Sequence, residues 1–143
     1  MLRVLSFILI DPELPPNFRG ADILFMVDSS SGVSPYDFDK EKELIKDLIK
    51  AFSSHPANSR TAFITYGNRP RVVYDLDNDM GEETLLEAID AAQRMGGGRR
   101  TDRALNEALR LINISRRFAP RIVLLITAGS QILVRILQNV FCD

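Results

Sequence analysis

The stretch ADILFMVDSSSGVSP, residues 21–35, combines a near-continuous apolar run with an acid, a serine-rich loop and a helix start. An apolar run without polar alternation is typical of a central parallel strand that is covered on both faces. Ser34 suits the N-cap of the helix that follows, and Pro35 suits its first position. Asp28 therefore stands where a buried strand gives way to a loop, which is where open α/β sheets bind ligands.

The rest of the chain alternates between helix and strand patterns. Three segments have the apolar spacing of amphipathic helices, namely 35–53, 82–95 and 101–112. Three more are rich in β-branched and aromatic residues and read as strands, namely 60–67, 71–76 and 121–127. In the last helix we expect these residues to face the core: Ala104, Leu105, Ala108, Leu109 and Ile112. This order predicts an open, mostly parallel α/β sheet with helices on both faces.

The bulk properties exclude several classes of function. With 143 residues the chain has the size of one ordinary domain. Its net charge of −1 leaves no electrostatic footprint for nucleic acid or for an anionic membrane. No segment approaches the roughly 20 apolar residues that span a bilayer. The single cysteine, Cys142, rules out a disulfide within the chain.

Four segments together resemble a von Willebrand factor type A domain of the extracellular-matrix type found in collagen VI-like chains and matrilins. They are ADILFMVDSSSGVSPYDFDKEKELIKDLI, RTAFITYGNRPRVVYDL, GGGRRTDRALNEAL and RIVLLITAGS, and they occur in this order between Ala21 and Ser130. The resemblance implies a Rossmann-like fold and a non-enzymatic adhesion module. It also implies an extracellular location, with matrix or cell-surface proteins as partners.

The resemblance divides the chain into an N-terminal extension and linker (1–20), a partial domain (21–130) and an atypical apolar tail (131–143). The family pattern continues past residue 130 through further helices and two strands, so we expect a fold that is incomplete at its C-terminus. The tail has helical apolar spacing and predicts a short helix. The strand at 121–127 would then be an uncovered edge, open to self-association. A signal peptide is not evident, because the apolar start at 1–10 lacks a small-residue cleavage site.

The family's metal-ion-dependent adhesion site takes its ligands from an Asp-x-Ser-x-Ser loop, a later threonine and a second aspartate. Asp28 and Ser30 match the first acid and the first serine. The other three ligand positions hold Gly32, Arg99 and Ala128, which supply no metal ligand. A guanidinium beside Asp28 would pair with the carboxylate rather than share it with a divalent ion. We therefore expect the remnant of a metal site and no resident cofactor.

Three alternatives stay open. In the first, Thr101, Ser31 and water complete a Mg²⁺ site around Asp28, which makes the domain a metal-dependent adhesion receptor. In the second, the chain is an enzyme such as a phosphatase with Asp28 as nucleophile, although no base or phosphate-binding lysine is placed to assist it. In the third, the product is a fragment or splice product without autonomous function.

Two further positions carry expectations about contacts and modification. Arg99 and Arg100 are adjacent cations that could contact an acidic partner at the carboxyl edge of the sheet. Asn113 begins the tripeptide Asn113-Ile114-Ser115, which is a glycosylation sequon if the chain is secreted.

Overall fold

A five-stranded mixed sheet organises the chain in the computed structural model, which describes residues 20–53, 59–78, 80–113, 121–127 and 131–137. The strands are β1 (Asp22–Asp28), β2 (Arg60–Tyr66), β3 (Pro70–Tyr74), β4 (Arg121–Thr127) and β5 (Gln131–Leu137). The helices are α1 (Pro35–Ser53), α2 (Gly81–Ala91) and α3 (Thr101–Asn113).

The strand order is β3-β2-β1-β4-β5, with β1 at the centre. β1 runs parallel to β2 and β4, while the outer strands β3 and β5 are antiparallel to their neighbours. The register sets Asp28 opposite Tyr66 and Val27 opposite Ile126. The three parallel strands therefore end at one edge of the sheet, where the serine-rich loop begins. The predicted α/β class and the central, buried β1 are confirmed.

The two faces of the sheet bury separate apolar clusters, as alternation along a strand requires. Ile23, Phe25 and Val27 of β1 pack beneath α1 and α2. Leu24 and Met26 point to the opposite face and pack against α3. The prediction of helices on both faces is thus correct.

Helix α1 begins as its sequence predicts. The Ser34 hydroxyl accepts a hydrogen bond from the Asp37 backbone N–H at 3.0 Å and donates to the Asp37 carboxylate at 2.7 Å. This N-cap satisfies one of the donors that every helix start leaves without an intrahelical partner. Phe38, Ile45 and Ile49 then bury one face of the helix.

Two helix predictions need correction. Helix α2 ends at Ala91 rather than Met95, because Ala92 takes an extended conformation and its N–H bonds the Ile89 carbonyl. In α3 the side chains of Leu105 and Leu109 are 41% and 47% exposed, so the expectation that they face inward is wrong. The buried stripe is Ala104, Ala108, Leu111 and Ile112. These positions follow the 3.6-residue period, and the two leucines lie about 100° to one side of it.

The predicted tail helix is also wrong, since residues 131–137 form β5. β5 pairs with β4 along the whole strand, from Arg121 opposite Leu137 to Thr127 opposite Gln131. β4 is therefore not the uncovered edge that we expected, because β1 and β5 pair with its two sides. Backbone pairing with a strand whose interior is apolar, residues 122–126 of β4, outweighs the helical spacing of a short apolar segment.

Candidate functional site

Three loops meet at the carboxyl edge of the parallel strands. The Ser31 N–H donates to the Gly97 carbonyl and the Gly96 N–H to the Ser29 carbonyl, at 2.9 and 2.8 Å, which ties the serine-rich loop to the glycine turn. The Arg100 N–H donates to the Gly67 carbonyl at 3.0 Å and ties that turn to the β2–β3 hairpin. The loops pack backbone against backbone, since a Cβ on Gly67 would clash with the Gly96 carbonyl oxygen.

Asp28 is the buried acid of this edge. Its side chain has no exposed surface, and its Oδ1 accepts a hydrogen bond from the Ser30 backbone N–H at 2.9 Å. Its Oδ2 forms an ion pair with the Nε of Arg99. The Ser30 hydroxyl is buried beside it and has no hydrogen-bond partner in the structure. Asp28 and Ser30, the two residues that match the metal-site pattern, are thus brought together with a cation.

The absence of a side chain at Gly32 leaves space for the Arg99 guanidinium. A Cβ at residue 32 would lie 3.0 Å from Nη2 of Arg99 and 3.6 Å from the Ser30 hydroxyl oxygen. The guanidinium therefore lies against the space that a side chain at residue 32 would fill. The two departures from the metal-site pattern, a missing side chain at Gly32 and an added cation at Arg99, are spatially complementary.

Glu41 is a site residue that the sequence analysis missed. It lies on the core-facing stripe of α1 between Phe38 and Ile45, is 5% exposed, and has an Oε2 without a hydrogen-bond partner. Burial, then the negative charges of Asp28 and Asp37, raises the pKa of Glu41 to about 8, while the charge of Arg99 opposes the shift. Its spacing of three and four residues from buried apolar neighbours was the signal that could have revealed it.

Thr101 lies at the start of α3, where its hydroxyl approaches the phenol of Tyr66 without the geometry of a full hydrogen bond. Burial raises the pKa of Tyr66, and the neighbouring Thr101 hydroxyl opposes that shift. Tyr66 is the last residue of β2 and is fully buried. Sequence reasoning placed Thr101 near the site but did not identify Tyr66 as its neighbour.

Among the described residues, the side chains of Arg100, Ser31 and Asn113 make no hydrogen bond or ion pair with Asp28. Arg100 points to its own helix start, where Nε and Nη2 donate to the two oxygens of Asp102 at 3.0 and 2.8 Å. Ser31 is exposed on the loop. Asn113 is the exposed last residue of α3, and the rest of its sequon lies outside the described residues, as does Ala128.

No group of three or more histidine, cysteine or acidic side chains in the described ranges is arranged to hold a metal ion. Among the helices that the structure describes, none is both long and apolar enough to cross a membrane.

Comparison with known proteins assigns the family. The family model for the von Willebrand factor type A domain matches residues 22–138. The mouse collagen alpha-4(VI) chain is 32% identical over 112 residues, which cover 78% of this chain and 5% of that protein. Human matrilin-1 is 28% identical over 76% of this chain and 23% of its own length. The chain therefore spans less than a quarter of either relative.

A solved structure has the same fold and a known metal site. Proximal thread matrix protein 1 from the mussel byssus, with a zinc-occupied MIDAS motif, superposes with a TM-score of 0.67 at 26% identity. The match covers 77% of this chain and 29% of the mussel chain. The family model, the sequence similarity and the fold agree, and this chain belongs to the von Willebrand factor type A domain family.

Proposed function

We propose that this chain is a non-enzymatic protein-interaction module of an extracellular-matrix protein, and that it works without a bound metal ion. The observation that carries the proposal is the ion pair between Arg99 and the fully buried Asp28, with Gly32 making room for the guanidinium. The extracellular, matrix-binding part rests on the relatives, which include a collagen VI chain and matrilins.

The side chains on this edge do not fit a divalent cation. Mg²⁺ requires near-octahedral oxygen ligands and keeps several waters. Here one oxygen of Asp28 accepts the Ser30 N–H, and the other pairs with Arg99. Position 32 offers no hydroxyl, and a positive charge stands where a ligand is needed. The guanidinium supplies the charge that would otherwise leave Asp28 buried and unpaired.

The same contacts argue against an enzyme. A nucleophilic carboxylate must reach its substrate, whereas Asp28 has no exposed surface and both of its oxygens are engaged. Glu41 is buried and has a raised pKa, but it lies beneath the same edge rather than in an open cleft. Buried acids of this kind support the loops of a binding surface and do not present a reactive group to a substrate.

One specific observation favours a second candidate, a metal-dependent adhesion domain. The mussel relative has a zinc-occupied MIDAS motif on the same fold. In this alternative Arg99 swings away, and Asp28, Ser30, Ser31, Thr101 and water hold Mg²⁺.

Thermal unfolding by circular dichroism separates these proposals. We expect one cooperative transition whose midpoint is the same in EDTA and in millimolar Mg²⁺ or Mn²⁺. A metal at 100 times its dissociation constant would add about 2.7 kcal/mol and raise the midpoint by several degrees. Such a rise would favour the metal-dependent candidate. A melt without cooperativity would contradict an autonomous module and favour the fragment.

We also propose that the chain self-associates through an edge of the sheet, and the strand that would pair is β5 rather than β4. β5 is the outer strand of the described sheet on that side, and an outer strand presents a row of backbone donors and acceptors. Sedimentation velocity at two protein concentrations tests this. A concentration-dependent shift toward dimer is expected, and a monomer at both concentrations would contradict it.

A further inference from the structure

Arg99 is a half-exposed arginine that one buried acid holds in place. Its side chain is 45% exposed, whereas Asp28, its partner through Nε, is fully buried. A guanidinium has five N–H donors in a fixed fork, and Nε of Arg99 makes an ion pair with Asp28 Oδ2, an oxygen that accepts no hydrogen bond in the structure. Within the part of the chain that the structure describes, no other acid pairs with Arg99. The Nη donors therefore remain for a ligand outside the domain.

Other arginines of the structure differ in this respect. Arg100 bonds both oxygens of Asp102, and Arg110 bonds both oxygens of Glu107. Arg60 donates three hydrogen bonds, two to Asp22 and one to Asp77. Among these four arginines, only Arg99 contacts an acid through Nε alone and has Nη donors without an acidic partner.

The surroundings of Arg99 favour an anion. The loop segments 29–33, 67–69 and 94–100 contain four arginines and no acidic residue, and the two acids that lie beside them, Asp28 and Glu41, are both buried. Helix α3 begins directly after the last of these segments at Thr101, so the positive end of its dipole adds to the local potential. Arg94 holds the serine-rich loop by donating to the carbonyls of Ser30 and Val33.

We infer that Arg99 binds a carboxylate side chain of a partner protein directly through its Nη donors, in place of a bridging metal ion. This inference rests on the proposed function, because it names the partner chemistry of the same metal-free site. Asp28 acts as a positioning residue that fixes the guanidinium from behind, and the partner's aspartate or glutamate takes the exposed fork. A bidentate arginine–carboxylate pair has the geometry and strength that such recognition needs.

The test is a side-chain NMR titration in EDTA. The probe is the blocked peptide acetyl-Gly-Glu-Gly-amide, and its matched control is the glutamine peptide of the same length. We expect the Arg99 Nε–Hε signal to move and saturate with the glutamate peptide, and the affinity to exceed that for the glutamine peptide by about tenfold or more. The Arg100 signal should move far less, because Asp102 already occupies its donors.

Two variants locate the binding group. Arg99→Lys keeps a positive charge beside the buried Asp28, which protects the fold. It removes the pair of Nη donors that would bind a carboxylate. We expect its affinity for the glutamate peptide to fall about fivefold or more. Arg100→Gln should bind the peptide as the wild type does. Equal losses in both variants, or unchanged binding in Arg99→Lys, would overturn the assignment.

A final arm repeats the titration in Mg²⁺. Binding of the glutamate peptide only when Mg²⁺ is present would overturn both this inference and the metal-free function. No binding in either buffer, together with a melting midpoint that ignores metal, would overturn the inference and leave the proposed function standing.

Discussion

Replacing Glu41 by glutamine should remove a pH-dependent loss of stability. Glu41 is 5% exposed, lies near Asp28 and Asp37, and leaves one oxygen without a hydrogen-bond partner. Its pKa is about 8 in the folded protein, against an ordinary value of 4.5. Between these two values the unfolded chain has released a proton that the folded protein still holds. The free energy of unfolding therefore falls as the pH rises through this window.

The magnitude follows from linkage. Each pH unit inside the window costs about 1 kcal/mol, and the whole window costs on the order of 3–5 kcal/mol. Glutamine has nearly the same shape as protonated glutamate and does not titrate. We expect Glu41→Gln to match the wild type near pH 4.5 and to be more stable by most of that amount at pH 8.

Urea unfolding at pH 5, 6, 7 and 8 measures this, and the difference between the two proteins cancels the other titrating groups. Glu43→Gln is the control, since Glu43 is an exposed acid on the same helix with 62% of its side chain accessible. Its difference from the wild type should stay within about 1 kcal/mol and show no slope. A difference in unfolding free energy between Glu41→Gln and the wild type that stays constant from pH 5 to pH 8 would contradict the raised pKa of Glu41.

Gly32→Ala should lower the free energy of unfolding by about 1 kcal/mol in the wild type, because the new Cβ displaces the Arg99 guanidinium. In an Arg99→Ala background it should cost nothing, and equal costs in both backgrounds would contradict the coupling. Arg60 pairs with one buried and one exposed aspartate, and removing each should lower the free energy of unfolding by a different amount. Asp22→Ala removes a carboxylate that is 1% exposed and should lower it by about 3 kcal/mol. Asp77→Ala removes a carboxylate that is 71% exposed and should lower it by less than about 1 kcal/mol, both measured by urea unfolding.

Local signals were sufficient for much of the fold. The apolar run that becomes β1 needed no long-range information, because a strand covered on both faces has a near-continuous run of apolar residues, here 23–27. Ser34 and Pro35 marked the start of α1 through helix chemistry that acts within one turn. The position of Asp28 at the end of β1 then located the candidate site.

The failures share one cause, which is tertiary packing. Residues 131–137 have helical spacing, yet they form β5 because β4 offers an apolar strand to pair with. Leu105 and Leu109 were expected inside, but α3 turns the smaller Ala104 and Ala108 to the sheet. A list of apolar positions does not say which of two overlapping stripes a sheet will cover.

The candidate site could be predicted only in part, because its contacts also depend on tertiary packing. The departures at Gly32 and Arg99 are visible in the sequence, but their contact in space is not. Glu41 stood among many charged residues of α1, and only its spacing from buried neighbours sets it apart. Its raised pKa depends on burial and on charges from other segments, which the helix alone does not contain.

Gly32, Arg99 and Ala128 stand at three positions where the family pattern has metal ligands, and we propose that these residues leave the carboxyl edge of the sheet without a metal ion. Electron paramagnetic resonance of free Mn²⁺ tests it most directly, by comparing the wild type with the triple variant Gly32→Ser, Arg99→Thr, Ala128→Asp. We expect the wild type to leave the Mn²⁺ signal unchanged and the triple variant to bind one ion per chain. Stoichiometric binding of Mn²⁺ by the wild type would contradict a metal-free edge.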